Sequence, residues 1–552
     1  MKKFSKTIIQ QIYRCLFLIF CEDKTYQIIH PESKRRNKPM PKNQNIFLTF
    51  ATVFHNRLNM SNLIDTQKTN YNIFLYFSFL VISFIFLALQ AYATSPFYVG
   101  YGGDSANYLV MGKMILAGKI PYIDFFDHKG PMMFFIEAFG QMFVPDRLGI
   151  FIMEVVNLSI IQAFIFFSAR LFLNKTYSFA VVLFSLLFFA FTMEGGNLTE
   201  EYALLFSSLA FFLTLKFALS ENNRVKPFHV FLIGVCAAFM MWIRLNNMGV
   251  ACACTIFIFI VTIKNKDWKG LKNLFIYFIL GFVAVTLPLI IYFLVNDALG
   301  EMLFAAIIYN FTYVGINESL SPFRDLPAAF FYILKAWVPF LILVIGTILH
   351  YREKKNYKVI LLSALLFVFG YITTHIGAAY YHYMTLNIPC FALGLIYIFR
   401  TLKNKKTPIT VCVLAAVILS GFAAHKYKSQ GGGAKTDYYK EQAKELVALI
   451  PESQRDSIFA YQTMTRFHAT AGVLPYYKNF MMQEWQGKYN PDIITGINQM
   501  MENNPPKWVF TQFRDQSTNK EFWKIIDQKF YLYKKNHVFE LYRLKDADNE
   551  TK

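Results

Sequence analysis

The sequence predicts an α-helical polytopic membrane protein of about eleven spans, followed by a small C-terminal α/β domain. Three observations carry this expectation. Of 552 residues, 55% are hydrophobic. They fall in unbroken runs of about 17–25 residues, the length that crosses roughly 30 Å of hydrocarbon. After the last run the pattern changes to short alternating segments typical of a soluble α/β unit. Continuous apolarity favours helices over a β-barrel, whose strands face lipid only at every second residue.

Residues 1–71 form a basic, polar, unpatterned tail on the cytoplasmic side. The run at 8–20 is too short to span, and no cleavage-site pattern follows it. Met60, just before the first span, reads as an alternative start. The first span is near 72–94. Others follow near 148–172, 176–193, 200–219, 228–243, 248–264, 273–296, 330–349, 358–374, 383–399 and 408–424. Residues 131–144 are apolar but short and contain Glu137, which predicts a helix lying on or dipping into the membrane.

Loop charge sets the orientation. One set of short loops holds Arg170, Lys175, Lys216, Arg224, Lys226, Lys264, Lys266, Arg352, Lys354, Arg400 and Lys403. The opposite loops at 193–200 and 371–382 hold no Lys or Arg, and 297–329 holds only Arg324. The basic set belongs inside, so 95–147 is one long outside loop and the C-terminus is outside as well. A full span at 131–144 would invert every later loop. The net charge of +20 therefore serves topology and membrane lipids, and no nucleic-acid partner is expected. Five of the seven cysteines lie inside apolar runs, with no disulfide framework or zinc spacing.

A glycine-rich linker covers 425–437, with Gly431, Gly432 and Gly433 at its centre. In 438–552, helices are expected at 438–450, 491–504 and 519–530. Strands are expected near 457–462 and 507–512, with a terminal hairpin over 530–544. No phosphate-binding glycine loop opens any of these helices, so no nucleotide site is expected.

The chemistry gathers at the outside ends of the spans. The first loop carries Asp104, Asp124, Asp127, His128 and Lys129. The second carries Glu194, Glu200 and Glu201. Arg244 ends the 228–243 span, and His382 stands among tyrosines in a later loop. Ionisable groups at a membrane boundary are costly unless they serve a purpose. Each also has a plainer reading: a snorkelling anchor for Arg244, a helix start for Glu200 or Glu201, a turn residue for Asp124, and an aromatic-belt position for His382. Transfer of a sugar from a lipid phosphate suits this set. One carboxylate takes the acceptor proton, and cations stabilise the departing phosphate. Asp104 fits the base, and Lys129, Arg244 and His382 fit the phosphate side. Asp124, Asp127 and His128 are support.

The pairing of GGDSANY (102–108) with YIDFFDHKGP (122–131) resembles bacterial GT-C glycosyltransferases that use lipid-linked sugars. These are relatives of protein mannosyltransferases and of the lipid A aminoarabinose transferase, and the sequence is most similar to the lipopolysaccharide core glycosyltransferases among them. The resemblance covers 72–425 in topology and is specific over 100–135. It implies a polyprenyl-phosphate sugar donor and inverting transfer at the outer face of the inner membrane. It implies an envelope acceptor (lipopolysaccharide, another glycan or a protein), Asp104 as base, and Lys129 facing the donor phosphate. It maps a second acidic position to Glu200 or Glu201 without choosing between them. Some relatives hold a divalent metal ion near these groups; the sequence leaves that cofactor open. A transporter or flippase is the rival reading, but no internal repeat, midplane charge or matched broken span appears. A polysaccharide polymerase or ligase would usually carry its long loop later in the chain.

The charge asymmetry makes a direct prediction. An alkaline phosphatase reporter, active only outside the cytoplasm, is active when fused after residue 440 and inactive after residue 266. The reverse pattern would contradict the orientation.

Overall fold

A computed structural model of the chain describes residues 69–220, 224–316, 326–375, 380–402 and 407–545. Nearly all of the basic tail lies outside the described residues. Each expected span coincides with a helix: α1 (Thr69–Gln90), α4 (Arg147–Arg170), α5 (Lys175–Thr192), α6 (Thr199–Leu219), α7 (Pro227–Ile243), α8 (Gly249–Lys264), α9 (Trp268–Val295), α12 (Leu326–Lys354), α13 (Tyr357–His375), α14 (Ile388–Thr401) and α15 (Thr407–Ser429). Between α1 and α4 lie α2 (Gly103–Leu116) and α3 (Pro131–Phe143). After α9 come α10 (Leu299–Leu303), a π-helical turn, and α11 (Tyr309–Ile316). Nine helices among the described residues are long and apolar enough to cross a membrane, and Phe74–Gln90 and Pro227–Ile243 are shorter apolar helices. The chain is a multi-pass membrane protein.

Burial sorts the helices into inner and outer. The segment Tyr381–Thr401 is 89% buried, whereas α9 is only 17% buried. α9 therefore turns apolar side chains such as Phe275, Leu280 and Val295 outward, as a lipid-facing helix does. It meets α7 through glycines. A Cβ on Gly281 would stand 2.0 Å from Phe231 O, and one on Gly234 would stand 2.2 Å from Phe278 O. Small residues let the two backbones touch, the usual route to tight helix contact in lipid.

The boundary of the last span with the linker differs from expectation. α15 continues beyond 424 to Ser429, because Lys426 reaches across to the end of α5 and donates to Met193 O at 2.8 Å. The chain then turns through Gly431 and Gly433, both with positive φ, a conformation glycine adopts without a steric penalty. At the same end of the bundle, α7 stops at Ile243, as expected. Arg244 is extended, and a 3-10 turn (Leu245–Met248) leads into α8.

The C-terminal region holds α16 (Tyr438–Val447), β1 (Ile458–Tyr461), α17 (Phe467–Ala471), α18 (Gln483–Gly487), α19 (Asp492–Asn503), β2 (Trp508–Thr511), α20 (Lys520–Lys529), β3 (Phe530–Lys535) and β4 (Glu540–Leu544). The strand order is β1-β2-β4-β3, with β1 parallel to β2 and the other pairs antiparallel. Side-chain caps start two of the helices. Asp437 accepts from the amides of Tyr439 and Lys440, and Asn519 accepts from that of Phe522. The short helices α17 and α18 have too few residues to show a period, so sequence pattern does not reveal them.

This region docks onto the first loop. Phe126 N donates to Lys478 O at 3.0 Å, Gly433 N donates to Phe97 O at 3.2 Å, and Tyr309 OH donates to Gln486 O at 3.2 Å.

Candidate active site

The site is built on the loop Phe126–Gly130, whose backbone is fixed residue by residue. Lys478 O accepts from the Phe126 amide. Asn310 Nδ2 donates to His128 O at 2.7 Å. Tyr122 OH donates to Lys129 O at 2.7 Å, and the Lys129 amide donates to Asp127 Oδ1 at 3.2 Å. Gly130 N donates to Ile243 O at 3.0 Å. Only glycine fits there, since a Cβ would lie 2.0 Å from Trp242 O. Tyr122 itself has φ 70°, a conformation that costs a non-glycine residue about 1–3 kcal/mol and persists only where neighbours hold it. The loop thus bridges four parts of the chain and sits against the end of α7, just before Arg244.

Lys129 stands between two carboxylates. Its Nζ lies 3.6 Å from Asp127 Oδ1 and 3.9 Å from Asp104 Oδ2, and it sits 5.8 Å over the Tyr108 ring. Asp127 is almost fully buried, whereas the Asp104 side chain is 45% exposed. Asp104 is therefore the carboxylate open to an incoming group, and it occupies the first turn of α2. Burial, with the Asp104 charge adding to it, raises the Asp127 carboxyl above its ordinary range, while Lys129 pulls the other way. His128 Nδ1 lies 3.2 Å from Asp127 Oδ1. Burial pushes the imidazole well below its ordinary pKa, and the charges of Lys129 and Arg244 add to this, so it is neutral at physiological pH.

A second group meets the first at Tyr108. Arg244 Nη1 donates to Glu200 Oε1 at 3.0 Å, its Nη2 donates to Tyr383 OH, and its guanidinium lies 4.5 Å from the centre of the Tyr383 ring. His382 Nδ1 is 2.9 Å from Glu194 Oε2, and its Nε2 is 4.0 Å from Glu200 Oε2. Burial raises the Tyr108 phenol, as do Asp104, Asp127 and Glu200, while Arg244 opposes them. Both ion groups therefore act on one buried ring.

The geometry separates residues that sequence alone leaves equivalent. Glu200 faces Arg244 and His382. Glu201 turns away, and its Oε2 accepts from the Asn197 amide at 3.1 Å. Asp124 closes its own turn, accepting from Ile120 N at 2.7 Å with Lys119 at 3.7 Å, so it stands with its turn rather than with Asp104 and Lys129. Arg244 and His382, expected to face a phosphate, already face the Glu200 carboxylate. Arg244 still has further N–H donors on the same guanidinium. Glu154 belongs to the surroundings of Glu201 and was signalled by a carboxylate inside an apolar run. The Lys129 ammonium already stands between Asp127 and Asp104, and no group of three His, Cys, Asp or Glu side chains among the described residues is arranged to hold a metal.

No protein-family model matches the chain, and no curated protein matches it by sequence. Solved structures match it by fold. The chain has the fold seen in the crystal structure of ArnT from Cupriavidus metallidurans bound to undecaprenyl phosphate. The TM-score is 0.58 at 11% identity, over 86% of this chain and 98% of that one. The apo form of ArnT matches with a TM-score of 0.57 over the same shares. The oligosaccharyltransferase of Archaeoglobus fulgidus, in complex with Zn and sulfate, matches at 0.50 and 12% identity, over 85% of this chain and 73% of that one. The chain therefore shares its fold with these solved structures, ArnT and an oligosaccharyltransferase.

Removing one partner of a buried ion pair strands the other. Arg244→Ala leaves Glu200 buried without its cation and destabilises the detergent-solubilised protein by about 3–5 kcal/mol. The Arg244→Met, Glu200→Met double variant recovers most of that loss, read as the thermal unfolding midpoint. Equal destabilisation in the single and double variants would contradict the pairing.

Proposed function

We propose that the chain is an integral membrane glycosyltransferase. It moves a sugar from a polyprenyl-phosphate carrier to an envelope acceptor at the outer face of the membrane, with inversion at the anomeric carbon. The acceptor is a lipopolysaccharide, another glycan or a protein. The observation that carries this reading is the half-exposed Asp104 beside the nearly buried Lys129, 3.9 Å apart, in a chain with the ArnT fold.

The reaction follows from the charges. Asp104 takes the proton of the acceptor hydroxyl as its oxygen bonds to the anomeric carbon. The bond from that carbon to the phosphate oxygen breaks, and its electron pair leaves with the polyprenyl phosphate. A phosphate monoester is a good leaving group, so no general acid is needed. Charge accumulates on the phosphate oxygens, and Lys129 is the cation closest to the base. Arg244 offers its remaining donors from the other side of Tyr108. Glu200 and His382 orient Arg244, and Asp127 with neutral His128 holds Lys129 in place. In water such interactions would be weak; in a site lined by buried rings they are stronger. The apolar bundle can receive the carrier's tail, so no nucleotide-binding fold is required. No step needs a metal ion.

General-base catalysis supplies about 10²–10⁴-fold. Asp104→Asn, expressed to the same level in membranes, therefore loses transfer from a polyprenyl-phosphate sugar by roughly that factor. Asp124→Asn stays within about threefold of the parent, because its bonds stay inside its own turn. Full activity of Asp104→Asn would remove the base assignment.

A further inference from the structure

The turn between α5 and α6 is an unusual piece of backbone. Gly195, Gly196 and Asn197 have φ of 91°, 94° and 61°, three left-handed residues in succession. The turn has no room to spread. A Cβ on Gly195 would stand 2.5 Å from the Tyr92 ring, and one on Gly196 would stand 2.9 Å from both Ala91 Cβ and Glu154 Oε1. Ala93 N donates to Gly195 O at 3.0 Å. The strained residue, Asn197, is fully buried. Its Asn-Leu-Thr sequon is therefore closed to glycosylation in the folded chain.

Asn197 joins three elements. Its amide donates to Glu154 Oε1 of α4 at 2.6 Å and to Glu201 Oε2 of α6 at 3.1 Å. Its side-chain Nδ2 donates to Ser105 Oγ of α2 at 2.9 Å, and its Oδ1 accepts from Tyr202 OH at 2.7 Å. Thr94 Oγ1 donates to the other oxygen of Glu154. Ser105 follows Asp104 in the chain. Glu200 follows Asn197 by three residues.

Two carboxyl groups converging on one amide, both nearly buried, cannot both carry a negative charge without strong repulsion. Glu137 of α3, fully buried with no hydrogen-bond partner for either oxygen among the described residues, offers no balancing positive charge nearby. The cluster is therefore held by hydrogen bonds that meet at Asn197 rather than by an ion pair. This network has no route for the acceptor's proton, because an asparagine amide does not relay one. Its consequence is geometric. It sets where the first turn of α2 begins, and with it the direction of the Asp104 side chain.

We propose that Asn197 is a positioning residue for the transfer site: gripped by the Glu154–Glu201 carboxyl pair, it holds Ser105 and so aims Asp104 at the acceptor. The proposal rests on the transfer reading above and deepens it. A misplacement near 1 Å at a reacting group can cost about 100-fold in rate, so a single lost bond here has a visible effect on turnover.

The test is a double-mutant cycle with a structural readout. Asn197→Ala and Ser105→Ala each lower kcat by about 10- to 100-fold, leave the donor KM within about twofold, and together are no worse than Asn197→Ala alone, since both remove the Asn197–Ser105 bond. Glu154→Gln, which keeps an acceptor for the Asn197 amide, stays within about threefold of the parent, whereas Glu154→Ala falls with Asn197→Ala. Amide hydrogen exchange over residues 103–108 rises in Asn197→Ala while the rest of the bundle keeps its protection. Multiplicative losses in the cycle, a change confined to KM, or unchanged exchange over 103–108 would each overturn the proposal. If the parent protein transfers no sugar at all, the transfer reading fails, and the exchange measurement still decides whether Asn197 holds the head of α2.

Discussion

The structure depends on the neutralisation of two buried cations at one end of a helix bundle. Lys129 and Arg244 side chains are only 10% and 11% exposed. An ion taken from water into a protein interior costs several kcal/mol unless close partners compensate it. The partners come from elsewhere in the chain. Lys129 has Asp127 in its own loop and Asp104 at the head of α2; Arg244, at the end of α7, has Glu200 at the head of α6. Satisfying these pairs requires α2, α6, α7 and the 126–130 loop to meet at one place. Tyr108 fills the space between the two groups.

Unequal exposure then divides the labour. Asp127 and Glu200 are buried and committed to their cations. Asp104 alone among the three carboxylates keeps an open side. On the proposed transfer reading, a site whose cations are pre-neutralised by buried carboxylates and whose open carboxylate serves as base needs little reorganisation as charge moves from acceptor to phosphate. The backbone supports this order. Each residue from Phe126 to Gly130 is tied directly to another element or held by a bonded neighbour, and the contact of Gly130 with Trp242 O sets the distance between the loop and Arg244.

Much of this was legible in the sequence because lipid imposes a strong signal. Each expected span coincides with a helix, since a spanning segment must satisfy its own backbone. The strands of the C-terminal region were marked by short apolar segments such as IFAY and WVFT, buried at every position. The GGDSANY and DHKGP stretches marked the site because polar residues stood out against an apolar background. What the sequence could not supply was direction. Glu200 and Glu201 are adjacent, and only the helix phase sends one towards Arg244 and the other towards Glu154. Asp124 and Asp127 sit in one short run, yet a local turn claims the first. Arg244 and His382 read as free cations, although Arg244 pairs with Glu200 at the head of α6 and His382 with Glu194 in the turn before it. Asn197 carries no signal in the sequence beyond its Asn-Leu-Thr tripeptide, because its importance lies in a backbone conformation that no residue pattern reports.

The central claim is that the Asp104–Lys129 end of the bundle transfers a sugar off a lipid phosphate. The most direct measurement is phosphorus NMR of the purified chain in nanodiscs, supplied with polyprenyl-phosphate sugars and a crude envelope acceptor fraction. The account predicts conversion of one donor's phosphodiester signal to the monoester signal of free polyprenyl phosphate, matched by sugar gained in the acceptor. A chain that leaves every such phosphodiester intact, or that moves the lipid-linked sugar between leaflets without cleaving it, would contradict the account.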